Sequence, residues 1–243
     1  IKAVVYTNGK PGVVQTLTKG NEALGEADDM TVLPTGDGGY WLTYTTQHFS
    51  VDNQTFDSKF QISRIDANGK VVADSAKTLD SLVSTFGYAS YFDITPVTDG
   101  YVLSRVDQGS GGMDRVIITQ LYDKNFSPVG DPVEVGSNLS INGAAITSLP
   151  DGGYVLAWNE FAQGSAGVFI QRFAADGTKT DLSPVRVATA DADEQLMDTP
   201  VVTVRTSGTV VVSWESSKAG SGAEVHIQKV TAGNLLVGSS TTV

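Results

Sequence analysis

The chain has 243 residues, 40% of them apolar, which is enough for a sizeable core in one large all-β domain or two smaller ones. Acidic side chains outnumber basic ones 27 to 16, and the net charge of −11 argues against nucleic acid and anionic membrane surfaces as partners. There is no cysteine, so disulfides and thiolate metal sites are excluded. No segment approaches the roughly 18 consecutive apolar residues of a membrane span. No signal-peptide pattern opens the chain, and Ile1 in place of Met suggests a processed product or an excised fragment.

Short β-branched and aromatic runs bounded by Gly, Asp and Asn predict strands throughout, with no long helical period. They recur as a unit. A turn-plus-strand half appears as GDGGYWLTYT (36–45), TDGYVLSRVD (98–107), PDGGYVLAWN (150–159) and TSGTVVVSWE (206–215), with a headless version, IKAVVYTN, at the start. A second half follows in step as GVVQTLTKGN (12–21), QISRIDANGK (61–70), IITQLYDKNF (117–126), FIQRFAADGT (169–178) and HIQKVTAGNL (226–235).

The result is five cells, about 1–27, 28–78, 91–136, 143–189 and 198–243, spaced by about 53 to 61 residues. Each full cell offers four strands. In the fourth they are GAAITSL, GYVLAW, VFIQRF and PVRVAT, joined by DGG and ADG turns in which positive φ is cheap. Four antiparallel strands per cell of about 50 residues predict an all-β, five-bladed β-propeller occupying residues 1–243 as one domain. Tandem β-sandwiches are the alternative, at about seven strands per 100 residues. The first cell lacks its first strand, so the ring is one strand short. The long connections at 79–91 and 188–198 keep the repeat phase and lack the composition of linkers.

These repeats, DGGYVLAW, SGTVVVSW and FIQRFAADG, resemble those of giant extracellular bacterial proteins, including RTX-type adhesins exported by type I secretion. The match covers nearly the whole chain and is closest in the fourth cell. The resemblance implies a secreted or cell-surface module with flanking domains in a larger chain, serving adhesion.

Trp158 and Trp214 end the second strand of their cells, and Tyr44, Tyr6 and Arg105 align with them. Large rings at one pleat position either pack between sheets or offer platforms for sugar rings. Loops between second and third strands, and connections between cells, are expected on one face, where they vary. Phe86, Tyr88 and Tyr91 form an aromatic group there. The expected function is therefore non-catalytic binding of a glycan or cell-surface polysaccharide, with Trp158, Trp214, Tyr44, Arg105, Tyr88 and Tyr91 as ligand-binding residues. A structural spacer or protein-interaction domain is the alternative.

Acidic residues cluster at Glu26, Asp28 and Asp29, and again at Asp191, Asp193, Glu194 and Asp198. The second group is a candidate Ca2+ site, because calcium takes six to eight oxygens, although neither stretch has EF-hand or RTX nonapeptide spacing. Solvated loop charge is the other reading. The Asp-Gly and Asn-Gly turns are structural.

For catalysis, only His48 and His226 are available as imidazoles, and His226 falls where an alternating strand places an ordinary side chain. No G-x-S-x-G or H-E-x-x-H occurs. The expectation is no enzyme. A propeller glycoside hydrolase is the third reading, since several glycosidase families use five blades and the separation of a carboxylate pair is three-dimensional.

Overall fold

The computed structural model describes residues 27–243 apart from 53–54, 85–90, 109–114, 142, 162–165, 192, 219 and 221; before residue 27 it describes four two-residue strands. These are β1 (Lys2–Ala3), β2 (Tyr6–Thr7), β3 (Lys10–Pro11) and β4 (Gln15–Thr16), with β1 paired to β4 and β2 to β3, both antiparallel. No helix occurs among the described residues, so none is long and apolar enough to cross a membrane. The chain divides into two compact units, Ile1–Ser90 and Tyr91–Val243.

The first unit holds one four-stranded antiparallel meander: β5 (Ala27–Pro34), β6 (Tyr40–Ser50), β7 (Thr55–Ile65) and β8 (Lys77–Ser84). Leu42, Tyr44 and Ile65 form its buried cluster.

The second unit holds three more meanders. They are β9 (Tyr91–Val97), β10 (Gly100–Gln108), β11 (Arg115–Asp123) and β12 (Pro128–Leu139); β13 (Ala144–Ser148), β14 (Tyr154–Glu160), β15 (Gly167–Phe173) and β16 (Val185–Thr189); and β17 (Glu194–Val204), β18 (Val210–Lys218), β19 (Ala223–Val230) and β20 (Leu236–Thr242). The four strands expected in the fourth cell all form, in the expected order. Two expected connections are partly strand: β8 continues to Ser84, and β17 begins at Glu194.

One turn geometry serves seven of the hairpins. In each, the first residue's N–H donates to the fifth residue's carbonyl and the fourth residue's N–H donates back to the first. The fourth residue has positive φ: Gly38, Gly69, Gly152, Gly177, Gly208, Phe126 and Asn234. Glycine suits that place because it has no Cβ to clash. Phe126 holds φ 59° there, with its ring stacked 4.2 Å from Tyr101 and buried.

A buried glutamine recurs on the third strand of each sheet in the second unit. Gln120 donates to the carbonyls of Leu121, Val129 and Gly130; Gln171 to those of Arg172 and Asp181; Gln228 to those of Lys229, Val237 and Gly238. Each side chain thus ties its own strand to the segment that leads into or forms the outer strand. The register between the third and outer strands shifts by a bulge in every sheet, and beside Gln120 and Gln228 that bulge frees carbonyls from the ladder for the amide to reach.

The core of this unit lies between successive sheets. Val102, Val106, Ile117, Tyr154, Leu156, Trp158 and Phe173 form one cluster, between the first and second of the three sheets. Val155, Ala157, Val168, Ile170, Leu196, Val212 and Trp214 form the other, between the second and third. Alternation along β14 sends Leu156 and Trp158 to one side and Val155 and Ala157 to the other, so this strand is buried on both faces.

Candidate functional site

The site is built on the last sheet, at the end where the β16–β17 connection and the β18–β19 loop emerge together. Glu194 pairs with Lys218 and Ser216 with Glu224, which brings the starts of β17 and β19 beside the end of β18. Because side chains alternate along a strand, the register puts Glu194, Leu196, Trp214, Ser216, Lys218, Glu224 and His226 on one face. Trp214 and Leu196 bury that face against the neighbouring sheet, and the polar members continue from it towards the loops.

His226 is the hub. Its Nε2 lies 2.8 Å from Ser216 Oγ, and its Nδ1 lies 3.3 Å from Thr242 Oγ1. The ring stacks on Trp214 with centroids 5.4 Å apart. Hydroxyls donate or accept, so either tautomer keeps both contacts. Glu194 Oε1 and Glu224 Oε2 each stand 3.9 Å from the same Nε2. The two carboxylate oxygens can therefore be no further apart than twice that distance. Glu194 is enclosed, with its side chain 11% exposed, whereas Glu224 is 53% exposed. The other carboxylate oxygen of Glu194, Oε2, accepts from the Asp191 N–H at 3.0 Å. Beside Glu194 opens a cavity of about 370 Å³, lined also by Phe161, Ala166, Gln195 and Leu196.

Asn159 supports this corner from the preceding sheet. It is 1% exposed, and its Nδ2 donates to the carbonyls of Met197 at 2.9 Å and Asp198 at 2.8 Å. Those carbonyls belong to a bulge in β17, where the register breaks between Met197 and Val201 and Asp198 takes φ 40°.

The residues expected from the sequence divide as follows. Tyr44, Trp158 and Trp214 are only 3%, 2% and 6% exposed, so the platform reading is corrected: rings buried this deeply pack between strands and sheets and offer no face to a sugar. Trp158 stacks on Phe169 at 5.9 Å, and Tyr44 Oη meets Ser63 Oγ at 3.5 Å. Arg105 pairs with Asp107, its Nε 3.1 Å from a carboxylate oxygen. Tyr91 is 42% exposed. Tyr88 and Phe86 lie outside the described residues, as do Glu26 and the side chains of Tyr6, Asp28 and Asp29.

The four acidic residues proposed for calcium do not converge. Asp191 bonds Lys218 at 2.6 Å, which holds the aspartate below the ordinary carboxylate range and the lysine above its own, and Glu194 turns to His226. Among the described residues no three His, Asp or Glu side chains gather as a cation would need.

The sequence reading passed over His226 and Glu224. Either ending of an alternating strand looks the same until the register shows what stands across from it. Of Glu194, Glu224 and His226 only Glu194 lines the cavity; carboxyl and imidazole groups so close together can give and take protons.

No known family profile matches the chain, and no curated protein does. Among solved structures it is similar to an endo-arabinase from Bacteroides thetaiotaomicron VPI-5482, with TM-score 0.53 and 14% identity over 88% of this chain and 80% of that one. It is also similar to an α-L-arabinofuranosidase from Lactobacillus brevis, with TM-score 0.52 and 15% identity over 92% of this chain and 74% of that one. At such identities the likeness is one of fold. It corrects the expectation of a non-catalytic binding module and of no enzyme, because the solved structures that share the fold carry the names of glycan-cleaving enzymes. The glycoside hydrolase is only the third reading of the sequence because a carboxylate pair is defined by a distance in space and leaves no spacing in the sequence.

Proposed function

We propose that the protein is a glycoside hydrolase in which Glu194 and Glu224 form the carboxyl pair. The observation that carries this reading is their common reach to His226 Nε2, with Glu194 also lining the cavity. Carboxyl pairs of glycosidases stand about 5–5.5 Å apart when the anomeric configuration is retained and about 6.5–9.5 Å when it is inverted. The upper bound set by the shared nitrogen admits either spacing, and the open side chain of Glu224 favours the second, which leaves room for a water. Glu194, enclosed beside Leu196 and Phe161, is the proton donor to the departing glycosidic oxygen. Glu224, open to solvent, takes the proton of the water that attacks the anomeric carbon as the carbon–oxygen bond breaks. His226, held by Ser216, Thr242 and the Trp214 face, keeps the two carboxyl groups at their spacing.

The names of the structures with this fold support an arabinose-containing glycan as the substrate class. The five cells of the sequence and the four meander sheets support a five-bladed propeller as the finer architecture. The resemblance of the repeats to those of giant extracellular proteins supports a secreted or surface setting.

The test is release of reducing ends from arabinan, arabinoxylan and galactan by the wild type, Glu194→Gln and Glu224→Gln. Each variant is expected to lose about 10²–10⁴-fold in kcat. Variants as active as the wild type would remove these residues from the chemistry, and a wild type inert on every glycan would end the hydrolase reading.

A further inference from the structure

A second cavity opens at the opposite end of the seam between the last two sheets, among the turns that join β13 to β14 and β17 to β18. Its volume is about 360 Å³, within the lower part of the roughly 300–1,000 Å³ typical of ligand pockets. Along β18 the two ends are about 25 Å apart at roughly 3.3 Å per residue, so this cavity is separate from Glu194.

Its polar wall is Arg172, which is 6% exposed. Arg172 Nε donates to Asn234 Oδ1 at 2.9 Å, and Nη2 donates to the carbonyls of Gly208 at 3.2 Å and Thr231 at 3.0 Å. Three bonds into two turns of the neighbouring sheet fix the guanidinium in place. Nη1, with two further N–H groups, makes no hydrogen bond to the described residues. Asp151 also lines the cavity; its Oδ1 accepts from the Gly153 N–H at 3.1 Å, which leaves Oδ2 as an acceptor. Leu149, Pro150 and Ala232 supply an apolar floor.

We infer that this cavity is a binding site for a neutral sugar unit of a polysaccharide, distinct from the cleavage site. A fixed donor beside a carboxylate acceptor suits vicinal hydroxyls, which both give and accept hydrogen bonds. The apolar floor suits the CH face of a pyranose or furanose ring. An anionic ligand fits less well, because Asp151 and Asp181 already supply the negative charge around Arg172. The choice of polysaccharides as probes rests on the hydrolase reading; the site itself rests on the cavity.

The test is affinity electrophoresis of the whole chain in gels containing arabinan, arabinoxylan, galactan or starch, with polygalacturonate as the anionic comparison. Asp151→Asn removes the charged acceptor but can still cap the turn, and Ser207→Trp fills the cavity from its rim. Retardation by at least one neutral polymer is expected for the wild type, at least tenfold weaker in both variants, with cleavage of a short soluble oligosaccharide unchanged. Glu194→Gln is expected to be retarded like the wild type. Equal retardation of the wild type and both cavity variants overturns the inference, as does retardation by polygalacturonate alone or by no polymer. Absence of cleavage by the wild type, together with cavity-dependent retardation, would remove the hydrolase reading and leave the sugar site standing.

Discussion

Asn159 on β14 is bonded to the backbone of Asp198 on β17, a side-chain amide of one sheet holding a carbonyl of the next at 2.8 Å. A second bond, to Met197, makes it a two-point clamp on the bulge that follows Glu194. Asn159→Leu is expected to strand both carbonyls and to cost about 1–3 kcal/mol. A urea titration checks this: the midpoint should fall with an unchanged slope, whereas an unchanged midpoint would mean that water replaces the amide.

His226 should matter to turnover more than to binding. His226→Phe keeps a ring against Trp214 but loses the contacts to Ser216 and Thr242. The expected result is a fall of about tenfold or more in kcat with KM changed little, since ground-state contacts to the glycan remain. A rise in KM at constant kcat would instead make His226 a binding residue.

Trp158→Ala is expected to cost about 3–5 kcal/mol, as for other fully buried large rings. Acrylamide should quench the emission of Trp158 and Trp214 only weakly. Strong quenching in a variant retaining just these two tryptophans would contradict their burial.

Tyr154 and Thr119 share a hydrogen bond of 3.1 Å across the seam between β14 and β11. Burial pushes the Tyr154 hydroxyl up to about 12 from 10.0. A raised value means that the neutral form is favoured by the fold. Its contribution to stability is complete below about 10 and is lost as pH rises through about 12. Absorbance at 295 nm should show one tyrosine ionising late, together with loss of folded structure; ionisation near 10 by every tyrosine would refute it.

Asp37 titrates at the other extreme. Its carboxylate accepts from Thr35, the Gly39 N–H and Arg64, and is held down at about 2 from 3.8, with the Thr35 bond the largest cause. A depressed value stabilises the fold above the ordinary carboxylate range, and that contribution disappears as pH falls towards about 2. Carboxyl-carbon NMR should show Thr35→Ala and Arg64→Ala each raising the midpoint. A midpoint unmoved by either substitution would remove that partner from the cause.

The hairpins were legible because turn chemistry is local: DGG and ADG state their own φ requirement, and the strands of the fourth cell follow from alternation between them. The ends of β8 and β17 were less so, since polar strand residues such as Asp80, Glu194 and Gln195 read as loop until their pairing is known. The aromatic column was visible but not its purpose, because a ring for packing and a ring for a ligand occupy the same pleat position. Glu194, Glu224 and His226 were out of reach, as only the register of β17, β18 and β19 brings them together. The glutamine column is written in TQL, IQR and IQK, yet its acceptors lie up to ten residues on, in the outer strand or the segment leading to it.

That column bears on how such a chain can lengthen. Gln120, Gln171 and Gln228 each fasten a sheet's outer margin from within, using carbonyls of the same repeat. A duplicated repeat would arrive with its own fastening and would need nothing from its neighbours to keep its last strand in place. Growth or loss of whole repeats by recombination therefore leaves each outer margin intact, while the faces packed between neighbouring repeats must still match one another.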